Sequence, residues 1–234
     1  MKLGELATVR SGLVLSRKQA CKGAPVKMRY PLLSFRAIHP NGYIDMEQLD
    51  GFDAAEQLSP EYLTQIGDVI IRLTSPYTAV LIDEASAGMV VSSNFVIIRV
   101  DRSRLLPGYL VWLINTPKIR KAIYENTSSN MLGAINARFF SKFEIPPLSI
   151  LQQQKISELF LLAKIICAEA GSPQLGDDWR MCVGEVVLNR VASPEFPDSI
   201  HDVVYEPGQY QEVDTFEFAY VLMPTAECVD AARR

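Results

Sequence analysis

Histidine and cysteine are scarce: two histidines, His39 and His201, and four cysteines, Cys21, Cys167, Cys182 and Cys228, occur in 234 residues. No CxxC pair is present and no His/Cys spacing suits zinc, so no metal site is expected. The cysteines are expected as reduced, mostly buried thiols, with a disulfide among the last three only in an oxidising compartment. Long hydrophobic runs are also missing. Val90–Val100 is interrupted by Ser92, Ser93, Asn94 and Arg99, far short of the roughly 20 apolar residues of a membrane helix. The opening MKLGELATVRSG lacks the apolar core of a secretory signal, so the expected compartment is cytoplasmic and no membrane partner is expected. There is no internal repeat, no low-complexity tract and no Pro-, Gly- or Ser-rich linker.

What is present divides by charge. Residues 1–164 hold 19 Lys+Arg against 14 Asp+Glu, and residues 165–234 hold 4 against 13. The net charge of −4 therefore conceals a basic part, compatible with a polyanion, and an acidic one. Basic residues cluster early, at Arg10, Arg17, Lys18, Lys22, Lys27, Arg29 and Arg36. Such groups supply sequence-independent affinity for DNA by releasing counterions from phosphates.

The first 148 residues read mainly as β structure. His39-Pro40-Asn41-Gly42 between Leu32–Ile38 and Tyr43–Met46 has the form of a hairpin turn. Asp68–Leu73, Ala79–Ile82 and Phe95–Val100 read as consecutive strands, with Thr74-Ser75-Pro76-Tyr77 as a turn between the first two. Pro107 suits the start of a helix carrying Leu110, Leu113 and Ile114, and Pro117 either interrupts that helix or starts another running to about Glu125. Asn126–Ala134 reads as a polar loop. Ser149 with Gln152 resembles a capping box. From there Ile156, Leu159, Phe160, Ala163, Ile166, Cys167 and Ala170 form one helical face running unbroken across the charge seam.

Several of these segments fall in a familiar order. Lys2-Leu3-Gly4-Glu5-Leu6-Ala7 with Ser11-Gly12 opens the chain, and Gly67-Asp68-Val69-Ile70-Ile71 and the helix pair around Tyr109–Tyr124 follow. Ile145-Pro146-Pro147-Leu148 and Gln152-Gln153-Gln154-Lys155-Ile156 complete the series. In these motifs residues 1–164 resemble a target-recognition domain of a type I restriction–modification specificity subunit. The resemblance implies a non-catalytic reader of double-stranded DNA working with modification and restriction subunits. No nuclease or methyltransferase motif is present, and no cofactor is expected in this chain. A homodimer through the spacer helix is a further expectation. Base reading needs side chains that reach groove edges. The candidates are Arg17, Lys18 and Arg36, then Arg72, Thr74, Ser75 and Tyr77, then Ser128, Ser129 and Asn130.

The end of the chain has a different likeness. Its matching runs are Leu162-Ala163-Lys164-Ile165-Ile166-Cys167-Ala168-Glu169-Ala170-Gly171, then Val183–Val191, Ser193–Pro197, Val203–Tyr210 and Ala231-Ala232-Arg233. These resemble the cell-wall hydrolases that include spore cortex-lytic enzymes. The resemblance makes Glu169 the catalytic acid, which calls for a partly buried carboxyl. Asn189, Gln209 and Tyr210 would line the peptidoglycan groove. The match stops short of the family's full domain, so an incomplete hydrolase segment is expected.

The expected fold is α+β. A β-rich target-recognition domain (1–148) leads through the start of a spacer helix (149–164) into a small, mainly helical lysozyme-like segment (165–234). Sequence-specific DNA recognition is the favoured function, and peptidoglycan cleavage with Glu169 as general acid is the alternative.

Overall fold

The computed structural model describes residues 1–21, 23, 25–39, 42–128, 135–210, 213 and 224–234, with the side chains of 127 and 128 not included. The chain forms two compact units, Met1–Ile150 and Leu151–Arg234. The architecture is mixed α+β, with the sheets first and helices after them.

In the first unit a four-stranded antiparallel sheet has the order β1-β7-β4-β5. Its strands are β1 (Ala7–Ser11), β4 (Val69–Arg72), β5 (Ala79–Leu81) and β7 (Phe95–Val100). The apolar runs assigned to strands from sequence are the central pair: Val69, Ile70 and Ile71 face Ile98, Ile97 and Val96 and all are fully buried. A second sheet has the order β3-β2-β6, built from β2 (Met28–Leu33), β3 (Asp50–Ala54) and β6 (Val90–Val91). One core cluster joins Leu33, Ile70, Val80, Ile82, Phe95 and Ile97 between the sheets.

The anticipated hairpin at residues 39–42 is only local. Pro40 and Asn41 lie outside the described residues, and Ile38 and Ile44 make one isolated bridge. The long pairing is instead β2 with β3, whose register sets Tyr30 opposite Phe52 and Arg29 opposite Asp53. Cross-strand packing and charge fix that pairing, which a local turn motif does not reveal.

Helices α1 (Pro107–Asn115), α2 (Pro117–Ser128) and α3 (Ala137–Ser141) follow. Pro107 opens α1, and Tyr109, Leu110, Leu113 and Ile114 are its buried residues. Asn115 pins α1 to β5: its side-chain oxygen accepts from the Ala79 N–H (2.9 Å) and its amide donates to the Ala79 carbonyl (2.8 Å). α2 runs past Glu125 to Ser128, and α3 had no sequence signal strong enough to read.

Close approaches explain the opening motif. A Cβ at Gly12 would lie 2.2 Å from the Ser92 carbonyl oxygen, and one at Gly4 would lie 3.0 Å from that of Ser141. Only glycine lets the backbones meet at Gly12. Leu3 and Leu6 are buried beside them.

α4 (Ile150–Ala170) is unbroken across Lys164, as its apolar spacing requires. The second unit adds α5 (Asp177–Ala192), α6 (Ile200–Val204) and α7 (Ala226–Arg233). Its core holds Leu162, Ile165, Ile166, Val187, Val203, Val204 and Cys228. Gly184 brings α5 against Ile166 of α4, because a Cβ there would stand 3.2 Å from the Ile166 methyl. Cys167 and Cys228 are buried, whereas Cys21 and Cys182 are exposed, so burial holds for only half of the thiols.

Lys164 is buried, and burial lowers its pKa to about 8 from 10.5. Between those values the unfolded chain holds the proton and the folded one does not, so this group makes stability rise with pH there. Below pH 8 the cost of burying the charge is fully present. We therefore expect Lys164→Met to stabilise the protein at pH 7 by about 2 kcal/mol, allowing for partial solvation of the amine. The gap should close as pH rises towards 10. Urea unfolding of both proteins across that range checks it, and a gap independent of pH would contradict it.

Candidate nucleic-acid interface and hydrolase-like segment

The early basic cluster is largely compensated. Arg10 pairs with Glu61 (2.6 Å), Arg29 with Asp53 (3.0 Å), Arg36 with Asp50 (2.7 Å) and Lys18 with Glu56. The Glu56 carboxylate, by hydrogen bond and charge, raises the pKa of Lys18. Charge counted along the chain therefore overstates the positive surface here. Arg17 and Lys27 make no ion pair among the described residues and are exposed.

The β4–β5 turn brings four of the predicted residues together: Arg72, Thr74, Ser75 and Tyr77. Arg72 closes β4, and its Cζ lies 4.7 Å from the centre of the Phe35 ring, which itself packs on Phe95 at 5.2 Å. Its Nε donates to Thr74 Oγ1 (2.8 Å) and its Nη1 reaches the Phe35 carbonyl at 3.5 Å. Thr74 and Ser75 are exposed at the tip. Tyr77 is buried, unlike a groove-reaching side chain, and takes φ 56°. Its N–H donates to the Thr74 carbonyl (2.9 Å), so it anchors the turn from beneath. Leu73 N–H donates to the Asn94 carbonyl (3.1 Å), tying the turn to the residue before β7.

Beside Phe35 opens a pocket of about 350 Å³, lined by Ser34, Phe35, Arg36, Asp50 and Asn94 among others. The structure thus brings Arg36 and Arg72 around Phe35, while Arg17 and Lys18 end the 3-10 turn whose first residue, Leu15, also lines the pocket. Phe35 and Asn94 were missed by sequence reasoning, since neither lies in a charged or repeated pattern. The Ser128 side chain, Ser129 and Asn130 lie outside the described residues.

In the second unit, Glu169 sits in the last turn of α4 and is exposed. The partial burial expected of a general acid is not there, because the neighbouring Ile165, Ile166 and Ala170 turn into the core while this position faces water. Tyr210 is close enough for the Glu169 charge to add to burial in raising its pKa, an effect that Arg190 offsets in part. The Arg190 guanidinium lies 5.2 Å from the Tyr210 ring centre and 5.3 Å from that of Phe196. Glu169 and Tyr210 are thus neighbours. Gln209 is half-buried after the turn from Glu206, and Asn189 is exposed on α5.

Among the described residues no helix is long and apolar enough to cross a membrane, and no cluster of His, Cys, Asp and Glu could hold a metal ion.

Comparison with solved structures bears on the sheets and helices together. The HsdS subunit from Thermoanaerobacter tengcongensis superposes with a TM-score of 0.54 at 17% identity, over 82% of this chain and 48% of that one. The fold resembles that of an HsdS subunit. A second solved chain, from a structure described as the basis of complex assembly and conformational transition of the type I R-M system, gives a TM-score of 0.52 at 18% identity. It is matched over 89% of this chain and 50% of its own length. The present chain thus spans about half the length of the solved chains it matches. Because 82% of 234 residues exceeds the first unit, the likeness continues beyond Ile150. A family model described as Cell Wall Hydrolase matches residues 176–234. That match begins after Glu169, so the motif carrying the expected acid lies outside it. No curated protein sequence matches the chain.

Proposed function

We propose that this protein recognises duplex DNA through its first unit, as a target-recognition module of a type I specificity subunit. The HsdS-like fold over most of the chain is the observation that carries this reading. Residues 1–148 would be the reader and residues 149–164 the start of a spacer helix, through which modification and restriction subunits, or a second copy, would assemble. Fluorescence anisotropy of the full chain with a labelled duplex tests it. Binding that salt weakens is expected, and no binding at low salt would reject the reading.

A second reading rests on the family match over residues 176–234. In it the C-terminal segment cleaves peptidoglycan, with Glu169 as general acid and Asn189, Gln209 and Tyr210 along the glycan. The role calls for a partly buried carboxyl, and Glu169 is exposed. We expect muropeptide analysis to find no product from purified peptidoglycan with either the wild type or Glu169→Gln. Anhydro-muropeptides from the wild type, lost in the variant, would reverse the preference for the DNA reader.

A further inference from the structure

Arg72 differs from the paired arginines around it. Arg10, Arg29, Arg36 and Arg99 each lie against a carboxylate, which cancels their charge. The partners of Arg72 are neutral: a hydroxyl, a ring face and a backbone carbonyl. They fix the plane of the guanidinium without neutralising it. With Nε bound to Thr74 and Nη1 turned towards the Phe35 carbonyl, Nη2 is the guanidinium nitrogen with no hydrogen bond among the described residues. The platform beneath is rigid, since Tyr77 is buried in a left-handed conformation and Asn115 clamps the next strand on both sides of Ala79. A bulky residue held at positive φ is a costly feature that surrounding structure must enforce, and such features gather at functional sites.

A planar, charged, oriented fork is the chemistry that matches the O6 and N7 acceptors of guanine in the major groove. Asn94, on the rim of the adjoining pocket and bonded through its carbonyl to Leu73, presents an amide of the kind that pairs with adenine N6 and N7. We propose that Arg72 reads a guanine in the recognised duplex and that Asn94 contacts a neighbouring base pair. This rests on the DNA-recognition reading above. Thr74 and Phe35 are positioning residues, since they act by holding the guanidinium.

The test is selection of bound duplexes from a randomised pool by the full chain, followed by affinity measurement on the selected site and on single-base changes. The wild type should enrich a motif containing a required guanine. Arg72→Ala should lower discrimination at that one position by about tenfold or more. Arg72→Lys, which keeps the charge but not the fork, should lose most of the same discrimination, and Asn94→Ala should relax a different position. Matching melting temperatures would show that the variants are folded. A motif retained by both Arg72 variants overturns the inference and leaves the DNA-recognition reading standing. Binding by the wild type with no sequence preference also overturns the inference. Failure of the wild type to bind any duplex overturns the DNA-recognition reading itself.

Discussion

Asp68→Ala should destabilise the first unit by about 3–5 kcal/mol, the usual cost of leaving a buried charge unpaired. Asp68 is 2% exposed and holds Arg99 with both carboxylate oxygens, Nε to Oδ1 at 2.9 Å and Nη2 to Oδ2 at 3.1 Å. It also accepts from the Gln65 N–H (2.9 Å), and Arg99 Nη2 donates to the Leu63 carbonyl (2.8 Å). The pair thus ties the loop before β4 to the body of β7. Removing the carboxylate strands the guanidinium in a half-buried site and orphans a backbone donor. Against a typical stability of about 5–15 kcal/mol, the loss should be plain in urea unfolding followed by circular dichroism. Removing both members, as in Asp68→Ala with Arg99→Met, should recover part of it, because no unpaired charge then remains. A single Asp68→Ala variant within 1 kcal/mol of the wild type would contradict this account.

That ion pair shows what the sequence motif means physically. Gly67-Asp68-Val69-Ile70-Ile71 combines a glycine at φ +86° beneath Arg102, the buried acid and three core residues of β4. Gly12 and Gly4 likewise mark close backbone approaches. The Gly-containing motifs of the N-terminal resemblance therefore build the frame. Their residues are constrained by packing, which leaves a pattern along the chain. The surroundings of Arg72 leave no such pattern, so Phe35 and Asn94 do not stand out in the sequence.

The central strands and the long α4 were readable because β-branched runs and three-to-four spacing are local signals. Pairing across distance was not. The β2–β3 register places Arg29 opposite Asp53, and Arg36, in the turn after β2, meets Asp50, so carboxylates far away in sequence compensate the early basic cluster. The exposure of Glu169 was hidden for a related reason. Its apolar neighbours suggested burial, but the helical turn sends this one position outward while they pack inward.

With much of the cluster compensated, DNA binding should rest on few phosphate contacts, made by cations that form no ion pair among the described residues, such as Arg17 and Lys27. Neutralising about three to four phosphates gives a slope of log affinity against log salt of about −2.7 to −3.6. Between about 50 and 200 mM salt the affinity should then fall roughly 40- to 150-fold. Arg17→Ala with Lys27→Ala should make the slope shallower by about 1 to 2, uniformly across duplex sequences. The most direct measurement is therefore the anisotropy titration of the full chain on one duplex across this salt range. A steep loss of affinity that the double variant flattens is the result expected of a DNA reader; binding with no salt dependence, or none at low salt, would contradict it.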